Sequence, residues 1–154
     1  MQTAEQIIQA KNKKIVTIDH QATVLDAINK MNNAGIGAIF IERDGVLVGV
    51  WTERDLLRNV ATPGFDPATA KIADYMITDL ISVPSHYNAY QLLDVFLGRR
   101  IRHLLIKKED EYIGVISPGD IMKAYITEKD AELKNLNAFV SWEYYENWRW
   151  DKKR

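Results

Sequence analysis

The sequence predicts an α/β (α+β) fold of two similar β-α-β-β-α halves, related by an approximate two-fold axis and followed by a C-terminal amphipathic helix. A shift of 65 positions superposes residues 36–41 on 101–106 and residues 49–55 on 114–120, with residue class kept along the register. Each half also shows the same order of β-branched runs and helical spacing. One unit of about 60 residues buries too little surface to be stable alone, so we expect the halves to pack together and form two clefts.

The elements of the first half follow from its cap and turn residues. In order, we expect a strand over 14–18, a helix that Thr23 caps and Gly35 ends, strands over 38–42 and 46–51, and a helix from 53 to about 60. Arg43-Asp44-Gly45 suits the turn of a β-hairpin. The second half repeats this order. We divide the chain into repeat 1 (residues 1–61), a linker (62–73), repeat 2 (74–126) and an aromatic tail (127–154).

Composition excludes several classes of function. A formal net charge of -1 argues against a bulk nucleic acid as partner, and the absence of cysteine excludes disulfide scaffolds, thiolate catalysis and Cys-ligated metals. The longest apolar run, residues 34–41, is too short to cross a membrane, and residues 1–12 lack a secretory signal, so we expect a cytoplasmic protein without membrane insertion. The three histidines lack metal-ligand spacing, and no acid, base and nucleophile are matched. We therefore expect neither a metal site nor an enzyme.

The same motif ends each half, as Gly-Val-Trp-Thr-x-x-Asp over 49–55 and Gly-Val-Ile-Ser-x-x-Asp over 114–120. In one interpretation Thr52 and Ser117 are helix caps, with Asp55 and Asp120 completing capping boxes. In the other, the helix N-terminus and the hydroxyl hold a phosphate, while the carboxylate accepts hydrogen bonds from the diol of a ribose. A cap alone does not require the same strand-Gly context twice at one offset, so the duplication favours a nucleotide site.

These residues resemble the cystathionine-β-synthase (CBS) domain, whose tandem pair is called a Bateman module. The resemblance covers about residues 5–126. Besides the two motifs, it rests on the openings 14–18 and 80–84, the strands 38–41 and 102–106, and the segment 75–79 that leads into repeat 2. It implies a regulatory module without a catalytic cofactor, which takes AMP, ADP, ATP or another adenosyl compound in the clefts between its repeats.

The resemblance also implies roles for individual residues. By position, Asp55 and Asp120 would bind ribose. Thr52, Ser117, Arg102 and His103 would bind phosphate. The adenine would be lined by Val16, Thr17, Ala38, Trp51, Ile81, Ser82, Val115 and Ile116.

The chain departs from the family pattern at two places. Trp51 stands where an aliphatic residue is usual, and its indole could stack on adenine, fill the first cleft or pack in the core. Gly37-Ala38 replaces the basic pair in the first repeat, whereas the second repeat has Arg102-His103. The clefts should therefore differ chemically, and we expect the Asp120 cleft to be the better nucleotide site, or the only one.

The tail contains three of the four tryptophans, at positions 142, 148 and 150. Leu133, Leu136, Val140, Tyr144 and Trp148 fall on one helical face, which predicts a long amphipathic helix. This helix could pack on its own domain, form a dimer contact or dock a partner protein. We expect a homodimer or higher homo-oligomer that signals nucleotide state to an unidentified regulated protein. The rival hypothesis is a ligand-free interaction scaffold that acts through this aromatic tail.

Overall fold

The computed structural model describes residues 1–136. Its helices are α1 (Ala4–Lys11), α2 (Val24–Ala34), α3 (Glu53–Val60), α4 (Ile72–Tyr75), α5 (Ala89–Arg99) and α6 (Pro118–Leu136). Its strands are β1 (Thr17–Asp19), β2 (Ala38–Arg43), β3 (Val46–Thr52), β4 (Ser82–Pro84), β5 (Leu104–Lys108) and β6 (Glu111–Ile116). The predicted mixed α and β architecture is confirmed, and each repeat has the order β-α-β-β-α.

The two repeats form separate three-stranded sheets with the same topology. In repeat 1, β1 pairs parallel with β2 and β2 pairs antiparallel with β3; in repeat 2, β4, β5 and β6 pair in the same way. Both hairpins have a register shift at equivalent places, between Ile41 and Glu42 and between Ile106 and Lys107. Because a bulge bends and twists its strand, both sheets are shaped alike.

Local sequence explains where most elements begin and end. Thr23 caps α2 with a complete capping box, and Gly35 ends the helix in the left-handed conformation, with a φ of 62°. The hairpin turn places Asp44 and Gly45 at positive φ, which glycine adopts without steric cost. The first strand differs from its predicted range of 14–18, since only Thr17–Asp19 lies opposite β2.

The helices that precede the repeats are exchanged between them. α1, which lies before the first strand, packs on β6 and α6 of repeat 2, while α4 packs on β3 of repeat 1. Val50 and Ile77 exchange main-chain hydrogen bonds of 2.9 and 2.8 Å at the second of these contacts. α1 was not predicted from the sequence, although Thr3 and Gln6 form a full capping box at its start.

Each sheet therefore has a core that includes the exchanged helix. One core combines Ala4, Ile7 and Ile8 of α1 with repeat 2, and the other adds Ile72 of α4 to repeat 1. Trp51 lies in the core of repeat 1 and is 0% exposed.

The last described helix is longer than the repeat requires. α6 continues without interruption from repeat 2 into the tail, as far as Leu136. This agrees with a C-terminal helix that includes Leu133 and Leu136. The rest of the predicted amphipathic face, with Val140, Tyr144 and Trp148, lies outside the described residues.

Candidate ligand-binding cleft

A cavity of about 710 Å³ lies between the two repeats. Repeat 1 lines it with the end of α2, the segment that follows it, and the β3–α3 junction; repeat 2 contributes residues 100–103, 117 and 118, and the segment that leads into its first strand. Its wall comprises Met31, Asn32, Gly35, Ile36, Gly37, Phe40, Val50, Thr52, Glu53, Arg54, Asp55, Arg58, Ile77, Asp79, Leu80, Ile81, Arg100, Ile101, Arg102, His103, Ser117 and Pro118. This volume is within the range of small-molecule sites.

The predicted capping interpretation is realised at the start of α3. The main-chain N–H and the Oγ1–H of Thr52 donate to Asp55 Oδ2 at 2.9 and 2.8 Å. Asp55 is buried, with 6% of its surface exposed, and its Oδ1 lies 3.7 Å from Arg58 Nη1. Thr52 therefore holds one oxygen of a buried carboxylate at the edge of the cavity and leaves the other oxygen turned toward a guanidinium.

The start of α6 has the same arrangement. Ser117 N–H and Oγ–H both donate to Asp120 Oδ2, at 2.8 Å each. Here a third donor is present, since Lys11 Nζ lies 2.8 Å from the same oxygen. Burial opposes ionisation of Asp120, but the hydrogen bonds from Lys11 and Ser117 outweigh it and hold the pKa of Asp120 below its ordinary value.

Several cationic side chains contribute to the wall of the cavity. Arg54, Arg58, Arg100 and Arg102 all contribute to its wall, beside the imidazole of His103. Burial, together with the charges of Lys11 and Arg102, lowers the pKa of His103, against an opposing effect of Glu53. The imidazole of His103 is therefore neutral at pH 7. An anion bound beside it would favour its protonated form.

The structure brings six of the predicted site residues together in this cavity. They are Thr52, Asp55, Ile81, Arg102, His103 and Ser117. The other predicted positions, Val16, Thr17, Ala38, Trp51, Ser82, Val115, Ile116 and Asp120, lie outside its wall. Several of these are core or strand positions: Ala38 and Ile116 are buried in the two hairpins, opposite Thr52 and Leu104.

Trp51 requires a correction to the adenine-lining prediction. Its side chain is fully buried in the core of repeat 1, and its Nε1–H donates to Asn59 Oδ1 at 2.9 Å. Strand alternation explains this placement, because neighbouring strand residues face opposite sides and Thr52 is the one at the cavity. Of the three roles considered for the indole, the structure shows packing in the core.

An apolar part of the wall was not predicted from the sequence. Ile36, Val50, Ile77 and Leu80 line the cavity beside the predicted Ile81. A signal for two of them was available, since the segment 75–79 was recognised as the approach to repeat 2 and continues directly into Leu80. Its pairing with β3 carries this segment across to the first repeat.

Known proteins share the duplicated fold of this chain. The family model described as "CBS domain" matches residues 5–62 and again residues 72–127. The chain belongs to the CBS domain family. The repeats of the sequence analysis are thus two CBS domains in tandem, and proteins built of such pairs are generally regulatory and ligand-binding.

Three relatives illustrate the similarity of this CBS pair. "CBS domain-containing protein CBSX3, mitochondrial" of Arabidopsis thaliana is 32% identical over 127 residues, which are 79% of this chain and 62% of the relative's length. The crystal structure of a CBS-domain containing protein from Agrobacterium tumefaciens has a TM-score of 0.76 and 26% identity, and covers 80% of this chain and 99% of that one. A hexameric CBS-CP12 protein from bloom-forming cyanobacteria has a TM-score of 0.67 and 27% identity, over 79% and 66% of the two chains.

The two copies of the duplicated motif have different surroundings. We expected the Asp120 cleft to be the better site because Arg102-His103 belongs to the same repeat. The structure places this basic pair on the wall of the cavity that contains Asp55, so the two features belong to one cleft. Asp120 instead pairs with Lys11.

Within residues 1–136, no helix is long and apolar enough to cross a bilayer.

Proposed function

We propose that this CBS pair is a regulatory module that binds AMP, ADP or ATP in the cavity containing Asp55. One observation carries the proposal: a single cavity between the repeats combines four arginine side chains, a buried carboxylate and an apolar wall. These three features match the phosphate, the ribose diol and the adenine of a nucleotide. Contributions from both repeats would let one ligand bridge them.

Phosphate would be held mainly by cationic side chains. The hydroxyl hydrogens of Thr52 and Ser117 are already donated to the carboxylates of their capping boxes. Guanidinium groups bind phosphate oxygens with charge-assisted hydrogen bonds, and Arg102 is exposed at the cavity. A phosphate near His103 would favour the protonated imidazole and so gain a further donor. The helix dipoles of α3 and α6 add to this attraction.

The nucleoside would occupy the side of the cavity that belongs to α3. Asp55 Oδ1, whose partner oxygen is fixed by Thr52, is suited to accept hydrogen bonds from the ribose diol. The adenine would pack against the apolar wall formed by Val50, Ile77 and Ile81. Val50 and Ile77 are joined by main-chain hydrogen bonds between the repeats, so this wall is part of the interface that a ligand would bias.

The output would be a change in how the repeats pack. A ligand can shift that packing only if it binds one arrangement more tightly than another. We propose that the module self-associates and passes this change to a regulated protein. Exposed apolar side chains on α3, α5 and α6, among them Leu57, Leu97 and Met122, support self-association, as does the hexameric relative. Leu97→Asp should lower the mass measured by light scattering.

Calorimetric titration of AMP, ADP and ATP tests the proposal. Arg102→Gln should weaken binding roughly 10- to 100-fold, the worth of one or two charge-assisted hydrogen bonds. Arg99→Gln is the matched control, because Arg99 is also exposed and lies three positions away but outside the cavity wall. Affinity of the control should change less than twofold. If none of the three nucleotides binds the wild type, the ligand-free scaffold becomes the better hypothesis.

A further inference from the structure

The place of the second cleft that the repeat predicts, at Asp120, is already occupied by a side chain. Lys11, the last residue of α1, extends its ammonium to Asp120 Oδ2 at 2.8 Å and to the main-chain oxygen of Val115 at 3.0 Å. Both groups belong to the second copy of the duplicated motif, residues 114–120. Both side chains of the pair are mostly buried, with 26% and 21% of their surface exposed.

The equivalent main-chain oxygen and carboxylate in repeat 1 have different partners. Val50, which the 65-residue shift aligns with Val115, accepts its hydrogen bond from the main-chain N–H of Ile77 at 2.8 Å. Asp55, the counterpart of Asp120, has Arg58 Nη1 at 3.7 Å from its Oδ1. The first cleft therefore leaves a carboxylate oxygen at an open cavity, whereas in the second cleft an ammonium is bonded to the carboxylate.

Lys11 is held in this position by the packing of α1. Ile8 lies against Gly114, where an added Cβ would come within 2.9 Å of Ile8 Cγ2. The start of the helix is fixed as well, since Ala4 N–H donates to Tyr87 O at 2.7 Å and Thr3 forms a capping box. The packing of α1 thus holds the ammonium beside Asp120. Because the ammonium belongs to the same chain, it competes with a free ligand for Asp120 at a high effective concentration.

We propose that Lys11 is a built-in occupant of the second cleft, so that the chain takes one nucleotide, at Asp55, and excludes a second one from Asp120. This inference rests on the proposed function. Asp120 Oδ2 accepts hydrogen bonds from Ser117 N, Ser117 Oγ and Lys11 Nζ, and the same ammonium donates to the main-chain oxygen of Val115, so a ribose that reaches Asp120 would have to displace it. Displacing the ammonium forfeits a charge-assisted bond, which lowers affinity for a ligand there by roughly 10- to 100-fold.

The number of ADP molecules bound per chain, measured by calorimetric titration, tests this inference. Lys11→Met keeps an unbranched side chain and removes the ammonium. We expect one ADP per chain for the wild type and two for Lys11→Met. Lys13→Met is the matched control, with the same change of charge at an exposed residue two positions away, and it should bind one. Adding Asp120→Asn to Lys11→Met should return the number to one, which locates the new site.

The outcomes separate this inference from the proposed function. A single ADP bound by both the wild type and Lys11→Met overturns the inference and leaves the proposed function standing. So do two ADP molecules bound by the wild type, or loss of the only site in Lys11→Met, which would make Lys11 a ligand-binding residue. No binding by either protein overturns both. Lys11→Gln, whose amide is shorter and uncharged, repeats the test if Lys11→Met does not give the wild-type circular dichroism spectrum.

Discussion

Substitutions of Trp51 test whether its side chain contributes to the stability of the core or to ligand binding in the cavity. Its indole is fully buried and donates to Asn59 Oδ1, so a change there should affect stability and leave ligand binding unchanged. Trp51→Ala removes the whole ring, and Trp51→Phe keeps an aromatic ring but removes the N–H donor. Leu57→Ala, at a side chain that is 72% exposed on the adjoining helix, is the control.

The magnitudes follow from the burial and the hydrogen bond. Replacing a buried Trp by Ala costs about 3–5 kcal/mol, since the lost transfer energy and the cavity add together. Trp51→Phe should cost about 1–2 kcal/mol, because it loses one hydrogen bond and part of the ring. At roughly 2–4 °C per kcal/mol for a chain of this size, Trp51→Ala should melt about 10 °C below the wild type. Leu57→Ala should stay within about 0.5 kcal/mol.

Urea unfolding followed by far-UV circular dichroism measures these changes. Fluorescence is less suitable, since three further tryptophans lie at positions 142, 148 and 150. ADP affinity of Trp51→Phe, measured well below its melting temperature, should equal that of the wild type. A variant with wild-type stability and a tenfold weaker affinity would refute the reasoning, because the indole would then face the ligand.

Three further outcomes are expected. Burial and nearby cations keep the pKa of His103 low, so the stability of the protein should fall as the pH drops below about 6.5. ADP affinity should rise from pH 8 to pH 6, because the bound phosphate favours the protonated imidazole. Calorimetry should show a smaller rise in ADP affinity for His103→Gln. Burial acts to raise the pKa of Asp120, but the hydrogen bonds from its donors outweigh burial and lower the pKa overall. The ionised carboxylate therefore stabilises the protein above about pH 4, and this stabilisation is lost as the pH falls through the lowered pKa. Urea unfolding between pH 5 and pH 3 should show a smaller loss of stability in Lys11→Met. Gly114→Ala should destabilise the protein by about 1–3 kcal/mol and speed hydrogen exchange in α1, whereas Gly98→Ala, whose Cβ would meet nothing within 4 Å, should not.

Features encoded by neighbouring residues could be predicted from the sequence. The ends of α2 at Thr23 and Gly35 and the hairpin turn at Asp44-Gly45 match, because caps and positive-φ turns depend on the local chain. The two Thr/Ser-x-x-Asp capping boxes are present as one of the two interpretations described them.

Features that depend on distant contacts could not be predicted. Lys11 and Asp120 are 109 positions apart, and no periodicity or motif relates them. To choose among the three roles for Trp51, one must know which face of β3 points into the core. That face is determined by the pairing of β3 with β2, which the sequence does not show. The same limit applies to the basic pair of repeat 2, because its place beside Asp55 of the other repeat depends on how the two repeats pack.

The exchange of α1 and α4 has a consequence for synthesis on the ribosome. Repeat 1 has all of its core once residues up to about Met76 have emerged, so it can fold while the rest is still being made. α1 is synthesised before repeat 1, yet the buried residues that form a core with Ala4, Ile7 and Ile8 extend as far as Ile121. Its apolar face must therefore stay exposed until repeat 2 has been made, and a deletion of α1 would damage repeat 2 rather than the repeat that directly follows α1 in the chain.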